Sequence, residues 1–216
     1  MQSKDFEILS SSDELTLCTP VTPAARQQIL SFVRSQFLAH FGADVDDDAP
    51  TLVGGFDASG VLIAAFGLRR SADGFFCERY LGDTVPKVLA ERYQRPVSGV
   101  EVVEVVHLCA VRPGFLALLM PLLARTLERS GFHFLVCTAT GCLSSFFTRK
   151  GLPAVHLAAA NPLCLDPAER ERWGRYYDKR PHVIAGDLTV ASGMLRRVPA
   201  ATLELRPTVA ALAMGV

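Results

Sequence analysis

The stretch Glu101-Val-Val-Glu-Val-Val-His-Leu-Cys-Ala-Val111, followed at once by Arg112-Pro-Gly-Phe-Leu-Ala117, decides the fold. Its β-branched, apolar run predicts a buried strand over 100–111. The turn after it opens an apolar helix over 115–130, stopped by Gly131. Working outward, 132–138 reads as a second buried strand, 142–150 as a short helix stopped by Gly151, and 153–158 as another strand. Upstream, 51–56 and 61–69 are strand-like, joined by the turn Asp57-Ala-Ser-Gly60. Residues 23–41 form a helix with Thr22 as N-cap and Pro23 at its first position. Ile29, Phe32, Val33, Phe37 and Phe41 lie near one face of it. Residues 14–18 alternate like a first strand, 84–93 and 166–178 read as helical, and 182–190 as extended. This order predicts an α/β protein with a central sheet, 100–111 in its middle and helices on its faces. One domain spans 13–190, between a flexible leader at 1–12 and a C-terminal tail at 191–216.

The chain of 216 residues is half hydrophobic, and Lys+Arg and Asp+Glu are both 22. That length buries a core without disulfides or metals. Zero formal net charge argues against broad capture of nucleic acid or of an anionic membrane. No apolar run is long enough for a transmembrane helix. The N-terminal residues lack the basic and apolar blocks of a secretion signal, so a cytoplasmic location is expected. Cys18, Cys77, Cys109, Cys137, Cys142 and Cys164 form no CxxC pair, so we expect no metal site and reduced, largely buried thiols. The acidic run from Asp44 to Asp48 reads as a solvated loop without the spacing of a calcium loop.

Several polar residues sit where apolar ones would be cheaper. Strict alternation along 101–111 puts His107 and Cys109 on one face and Glu104 on the other. A Glu or His inside an apolar strand costs energy unless satisfied. His107 titrates near neutrality and suits proton removal from an amine, or it is a hydrogen-bonded core imidazole. Glu104 is a catalytic carboxylate or half of a buried salt bridge. Glu78 holds a substrate ammonium group, orients a base, or pairs with Arg69, Arg70 or Arg79. Cys109 is a small core residue or an acyl nucleophile beside His107. Trp173, Tyr176 and Tyr177 line a substrate pocket or pack a helix on the core. The turn at Arg112, Gly114 and Phe115 is an anion site or an ordinary strand-to-helix turn.

The block 101–158 resembles the acyl-CoA-binding core of the GNAT-type acyltransferase superfamily. Residues 101–111 match its central strand, and Ser144-Ser-Phe-Phe-Thr-Arg-Lys-Gly-Leu152 its late helix. The superfamily's glycine-rich phosphate loop is eroded and shortened here. A closer resemblance, over 37–188, is to the thermostable hemolysin family. It is carried by His40-Phe-Gly-Ala43, Ala65-Phe-Gly-Leu-Arg-Arg-Ser-Ala72, Phe76-Cys-Glu-Arg-Tyr-Leu81, Val103-Glu-Val-Val-His-Leu-Cys-Ala110, Phe134-Leu-Val-Cys-Thr-Ala-Thr140, Phe146-Phe-Thr-Arg-Lys-Gly-Leu152 and Trp173-Gly-Arg-Tyr-Tyr177. That family has Gly-Asn where this chain has Val106-His107, and an Arg near Ala117. Glu104, Glu78 and Tyr80 match it. The layout is also similar to acyl-homoserine-lactone synthases.

These resemblances imply a GNAT-like mixed sheet flanked by helices and transfer of an acyl group to a small-molecule amine. The thioester, on CoA or on a phosphopantetheinyl acyl carrier protein, would lie between splayed central strands as a cosubstrate, with no tightly bound cofactor. Cys109, Ala110, Val111, Arg112, Gly114 and Phe115 would contact it, a backbone N–H near 109–111 holding its carbonyl oxygen. His107, Glu104 and Glu78 would be catalytic, and Tyr80, Trp173 and Tyr177 would bind substrate. A membrane-active hemolysin, or an inactive GNAT-fold binding protein, is the alternative.

Overall fold

The computed structural model describes residues 4–112 and 114–195. Eight strands form one mixed sheet: β1 (Phe6–Ser11), β2 (Leu15–Pro20), β3 (Thr51–Asp57), β4 (Leu62–Arg70), β5 (Val102–Ala110), β6 (Phe134–Ala139), β7 (Ala154–Ala159) and β8 (His182–Asp187). Their order is β1-β2-β3-β4-β5-β6-β8-β7, which places β5 inside the sheet as its length and apolarity require. Only β5 and β6 pair in parallel, joined across the sheet by helix α3 (Gly114–Arg129); the other neighbours are antiparallel.

The sheet is covered on both faces, so β5 is apolar on both. One face carries α3, α4 (Gly141–Arg149) and α6 (Leu188–Leu195) over Val103, Val105, Leu108, Leu135 and Ile184. The other carries α1 (Pro23–Phe41) over Leu52, Phe56, Ala65 and Cys109. Farther along that face, α2 (Val85–Tyr93) covers Val102, Phe134 and Val136. Helix α1 begins and ends on its local signals. Thr22 accepts a hydrogen bond from the Ala25 N–H at 3.2 Å, and Gly42 closes the helix at φ 65°.

Four expectations are corrected. The leader 1–12 contains β1, held by Phe6 edge-on against Phe56 at 5.0 Å and by the Val21 N–H donating to the Asp5 carbonyl at 2.8 Å. Only one residue of β1 is buried, so its periodicity is faint. The helix expected over 166–178 breaks into α5 (Pro167–Arg172) and a 3₁₀ turn at Tyr176–Lys179, because Gly174 turns at φ 51°. The extended run from His182 ends at Asp187, and α6 takes over. Of the expected tail 191–216, the first five residues belong to α6, and the rest lies outside the described residues.

Candidate active site

The site is built on an irregularity in β5. Val106 faces Gly67 and Cys109 faces Ala65, three steps on β5 against two on β4. The extra residue is a β-bulge, and His107 carries it with φ 54°. Asn, Asp and His are the non-glycine residues that best tolerate this left-handed conformation. Gly67 opposite is crowded: a Cβ there would lie 2.8 Å from the Val106 side chain and 2.5 Å from Ala49.

The bulge shifts the phase of the strand. Before it, Val103 and Val105 face α3; after it, Leu108 and Ala110 do. His107 and Cys109 therefore turn to the side that carries Glu104 and Val106. The alternation that put Glu104 and His107 on opposite faces fails for this reason. Both side chains line one recess, with Asp48, Phe76, Tyr80, Thr138, Trp173, Tyr176 and Tyr177. The β5–β6 ladder covers only Val102–Glu104 against Phe134–Val136, although both strands run on. Beyond Glu104 the two strands part, and the recess opens at that fork.

Glu104, 1% exposed, accepts hydrogen bonds from the N–H groups of Phe76 at 2.6 Å and Cys77 at 2.9 Å. Burial pushes its carboxyl up to about 7, against the pull of those two donors. The alternative of a buried salt bridge is thereby replaced by a backbone clasp. His107 is 5% exposed; its ring packs edge-on against Phe37 at 5.7 Å and near Trp173 at 6.1 Å. Its Nε2 lies 3.7 Å from Asp48 Oδ1, and burial lowers its pKa against the raising effect of that carboxylate. A neutral imidazole at neutral pH follows.

The aromatic wall comes from the corner after α5. Gly174 lies against the C-terminus of α1, where a Cβ would come within 2.4 Å of the Phe41 carbonyl oxygen. The Arg175 N–H donates to that same carbonyl at 2.8 Å. Tyr176, fully packed, donates its hydroxyl to the Thr138 carbonyl at 2.9 Å across the fork. Tyr80 and Tyr177 share a hydroxyl hydrogen bond at 2.5 Å, and burial pushes the Tyr177 phenol up to about 12. As arranged, the recess leaves a void of about 20 Å³, room for a water or two.

Other expected residues fall elsewhere. The Glu78 carboxylate accepts from the Val85 N–H at 2.8 Å, at the start of α2, and does not line the recess. Cys109 is buried with its Sγ 3.7 Å from the Ala65 carbonyl, and burial raises its thiol far above the usual range, which disfavours the thiolate of a nucleophile. The Val111 N–H donates to the Ile63 carbonyl at 2.9 Å, so it is not available to a thioester oxygen. Ala110 is buried in the α3-side core; Arg112 is exposed, and Gly114 and Phe115 open α3. The acidic loop is exposed, as expected, and it is also tied: Asp46, Asp47 and Asp48 pair with Arg172, Arg26 and Arg69. Sequence reasoning missed Asp48, Phe76 and Thr138 as lining residues. The six cysteines are all free, and no group of three or more His, Cys, Asp or Glu side chains suits a metal among the described residues.

A mixed sheet forking beside a bulged central strand, with helices on both faces, defines a GNAT-like α/β protein. Several solved structures share this fold, three of which illustrate it. TofI, in a ternary complex with an inhibitor and MTA, is 16% identical with a TM-score of 0.58, covering 83% of this chain and 94% of its own. The acyl-homoserine-lactone synthase LasI is 12% identical, at 0.56, covering 85% and 95%. FeeM, an N-acyl amino acid synthase from uncultured soil microbes, is 15% identical, at 0.55, covering 89% and 96%. Residues 19–192 match the thermostable hemolysin family, and the chain belongs to it. No curated protein matches the sequence.

Proposed function

We propose that the protein is an N-acyltransferase that moves an acyl group from a CoA or carrier-protein thioester to a small-molecule amine. The observation that carries this reading is the fork. A buried imidazole and a buried carboxylate line a recess at the point where β5 and β6 separate. On the α3 side of the sheet lies an almost wholly apolar cavity, lined by Met120, Ala124, Leu135, Phe147, Leu152 and Ile184 among others. An acyl chain would seat there while the amine occupies the polar recess. The amine nitrogen attacks the thioester carbon, its proton passes to His107 directly or through water, and the thiol leaves with a proton. His107 is the base because its neutral nitrogens are not committed to hydrogen bonds, whereas both oxygens of Glu104 accept from the backbone. Glu104 holds the 76–80 turn against the site. Tyr80, Trp173 and Tyr177 surround the amine. Similarity to acyl-transferring synthases supports the acyl chemistry, and the eroded phosphate loop favours donors held chiefly by pantetheine.

The test is thiol release from acyl-CoA and acyl-carrier donors in the presence of amines, comparing the wild type with His107→Asn. Asn keeps the left-handed backbone available, so the fold survives. We expect a loss of about 10²-fold or more in kcat, a typical size for a missing general base. Full turnover by His107→Asn removes His107 from the chemistry; no thiol release with any donor sinks the acyl-transfer reading.

A further inference from the structure

The charged side chains that line the recess are one-sided. Its lining holds two carboxyl groups, Asp48 and Glu104, five aromatic side chains, His107 and Thr138, and no Lys or Arg. Arg69 and Arg79 lie outside the lining; the charge of Arg69 reaches Glu104 and His107, but the N–H groups of both side chains are already engaged. Arg69 donates to the carbonyls of Gly74 at 2.9 Å, Asp73 at 3.0 Å and Asp48 at 2.7 Å, and reaches the Asp48 carboxylate only at 3.4 Å. Arg79 bonds Glu169 at 2.6 Å while its guanidinium lies 3.9 Å over the Phe76 ring. Two polar groups facing the recess lack a hydrogen bond among the described residues. One is His107, nineteen-twentieths buried with Asp48 just beyond bonding distance; the other is the buried Thr138 hydroxyl. A carboxylate rim over aromatic faces attracts a cation by Coulomb and cation–π terms together, and both strengthen as water leaves.

Resting on the acyl-transfer reading, we infer that the acceptor is a cationic amine without a carboxylate of its own. Asp48 holds its ammonium group, and the Trp173, Tyr177 and Phe76 rings pack its hydrocarbon. An amino acid adds a third carboxyl group beside Asp48 and Glu104, where the lining offers no Lys or Arg to receive it. That unpaired like charge rejects it, as specificity by repulsion does elsewhere. His107, 3.7 Å from the same carboxylate, is then positioned to take the proton from the bound ammonium group.

Trp173 is the only tryptophan of the chain, so its fluorescence reports the recess directly. The full chain, without acyl donor, is titrated with n-butylamine, with norvaline (which adds only the carboxylate) and with n-butanol as the neutral isostere. We expect saturable quenching or a spectral shift with n-butylamine, and at least 100-fold weaker binding of norvaline. Asp48→Asn should weaken n-butylamine by 10-fold or more and leave n-butanol unchanged, which shows that the recess is intact. Norvaline binding as well as the amine overturns the inference. So does an Asp48→Asn protein with undiminished amine affinity, or no binding of n-butylamine at millimolar concentration. Thiol release measured separately distinguishes the two failures. Transfer to norvaline in preference to n-butylamine refutes the cation site and keeps the acyltransferase. Amine binding without thiol release from any donor does the reverse.

Discussion

A single residue in a left-handed conformation shapes the recess. His107 at φ 54° inserts into β5, swings itself to the Glu104 side and ends the strict alternation of the strand. Holding a non-glycine residue there costs on the order of 1–3 kcal/mol, which the packing of Phe37 and Trp173 around the ring must offset. Glu104 is the second expensive residue, and its cost depends on pH. The native carboxyl protonates near 7, above the ordinary carboxylate range of the unfolded chain. Between those values the native state binds the proton and the unfolded state does not. Stability from this residue is therefore greatest at low pH and falls as pH rises through about 7, by up to about 3 kcal/mol. His107 works in the opposite sense. Its pKa is lowered, so its contribution is lost only as pH falls below its usual value near 6.5. The difference between the wild type and Glu104→Gln from pH 6 to 8 cancels His107 and isolates Glu104: the wild type should lose stability relative to Glu104→Gln over that range. A wild-type melting temperature that rises from pH 6 to 8, with Glu104→Gln parallel to it, would contradict this assignment.

Among the elements, the corner between α5 and the 3₁₀ turn does most to shape the recess. Its aromatic side chains reach the fork because Gly174 lets the chain pass within contact of the α1 C-terminus. Gly174→Ala meets both a 2.4 Å clash with backbone and a positive φ. We expect a loss of more than about 2 kcal/mol of stability. A blue- or red-shifted Trp173 emission should accompany it, and amine binding should weaken more than acyl-donor binding. Unchanged emission and stability would mean that the corner is looser than its contacts indicate. The same corner shows where sequence reading works and where it stops. Residues 23–41 were legible to the residue because cap, proline and apolar stripe all agree, and 100–111 was legible from its β-branched run. Glycine inside 166–178 gave a cue that helical periodicity outweighed. The bulge left no such mark, since alternation has no term for an inserted residue. Glu104 and His107 were therefore identified singly but not as neighbours. Asp48 was hidden in an acidic run whose charges are satisfied only by arginines distant in sequence, Arg26, Arg69 and Arg172.

At the scale of the whole molecule, the family name and the surface pull apart. No helix among the described residues is long and apolar enough to cross a membrane. Among the described residues, the large exposed apolar side chains are spread over many elements: Ile8 and Leu9 on β1, Val21 and Leu38 before and on α1, Val61 in the hairpin, Val100 and Val111 on either side of β5, Leu163 before α5, and Val190 and Met194 on α6. Single exposed apolar residues are normal on any protein surface, whereas membrane docking needs a contiguous patch. A chain with zero formal net charge also has little attraction to anionic lipid. Acyl transfer offers another route to lysis, because joining a hydrocarbon chain to a polar amine makes an amphiphile. Dye-loaded vesicles, neutral or anionic, should therefore stay sealed with low-micromolar native protein alone. When acyl donor and amine are added, any leakage should travel in the filtrate from which the protein has been removed. Leakage by native protein without donor, absent from the heat-denatured sample, would place the lytic activity in the folded chain itself.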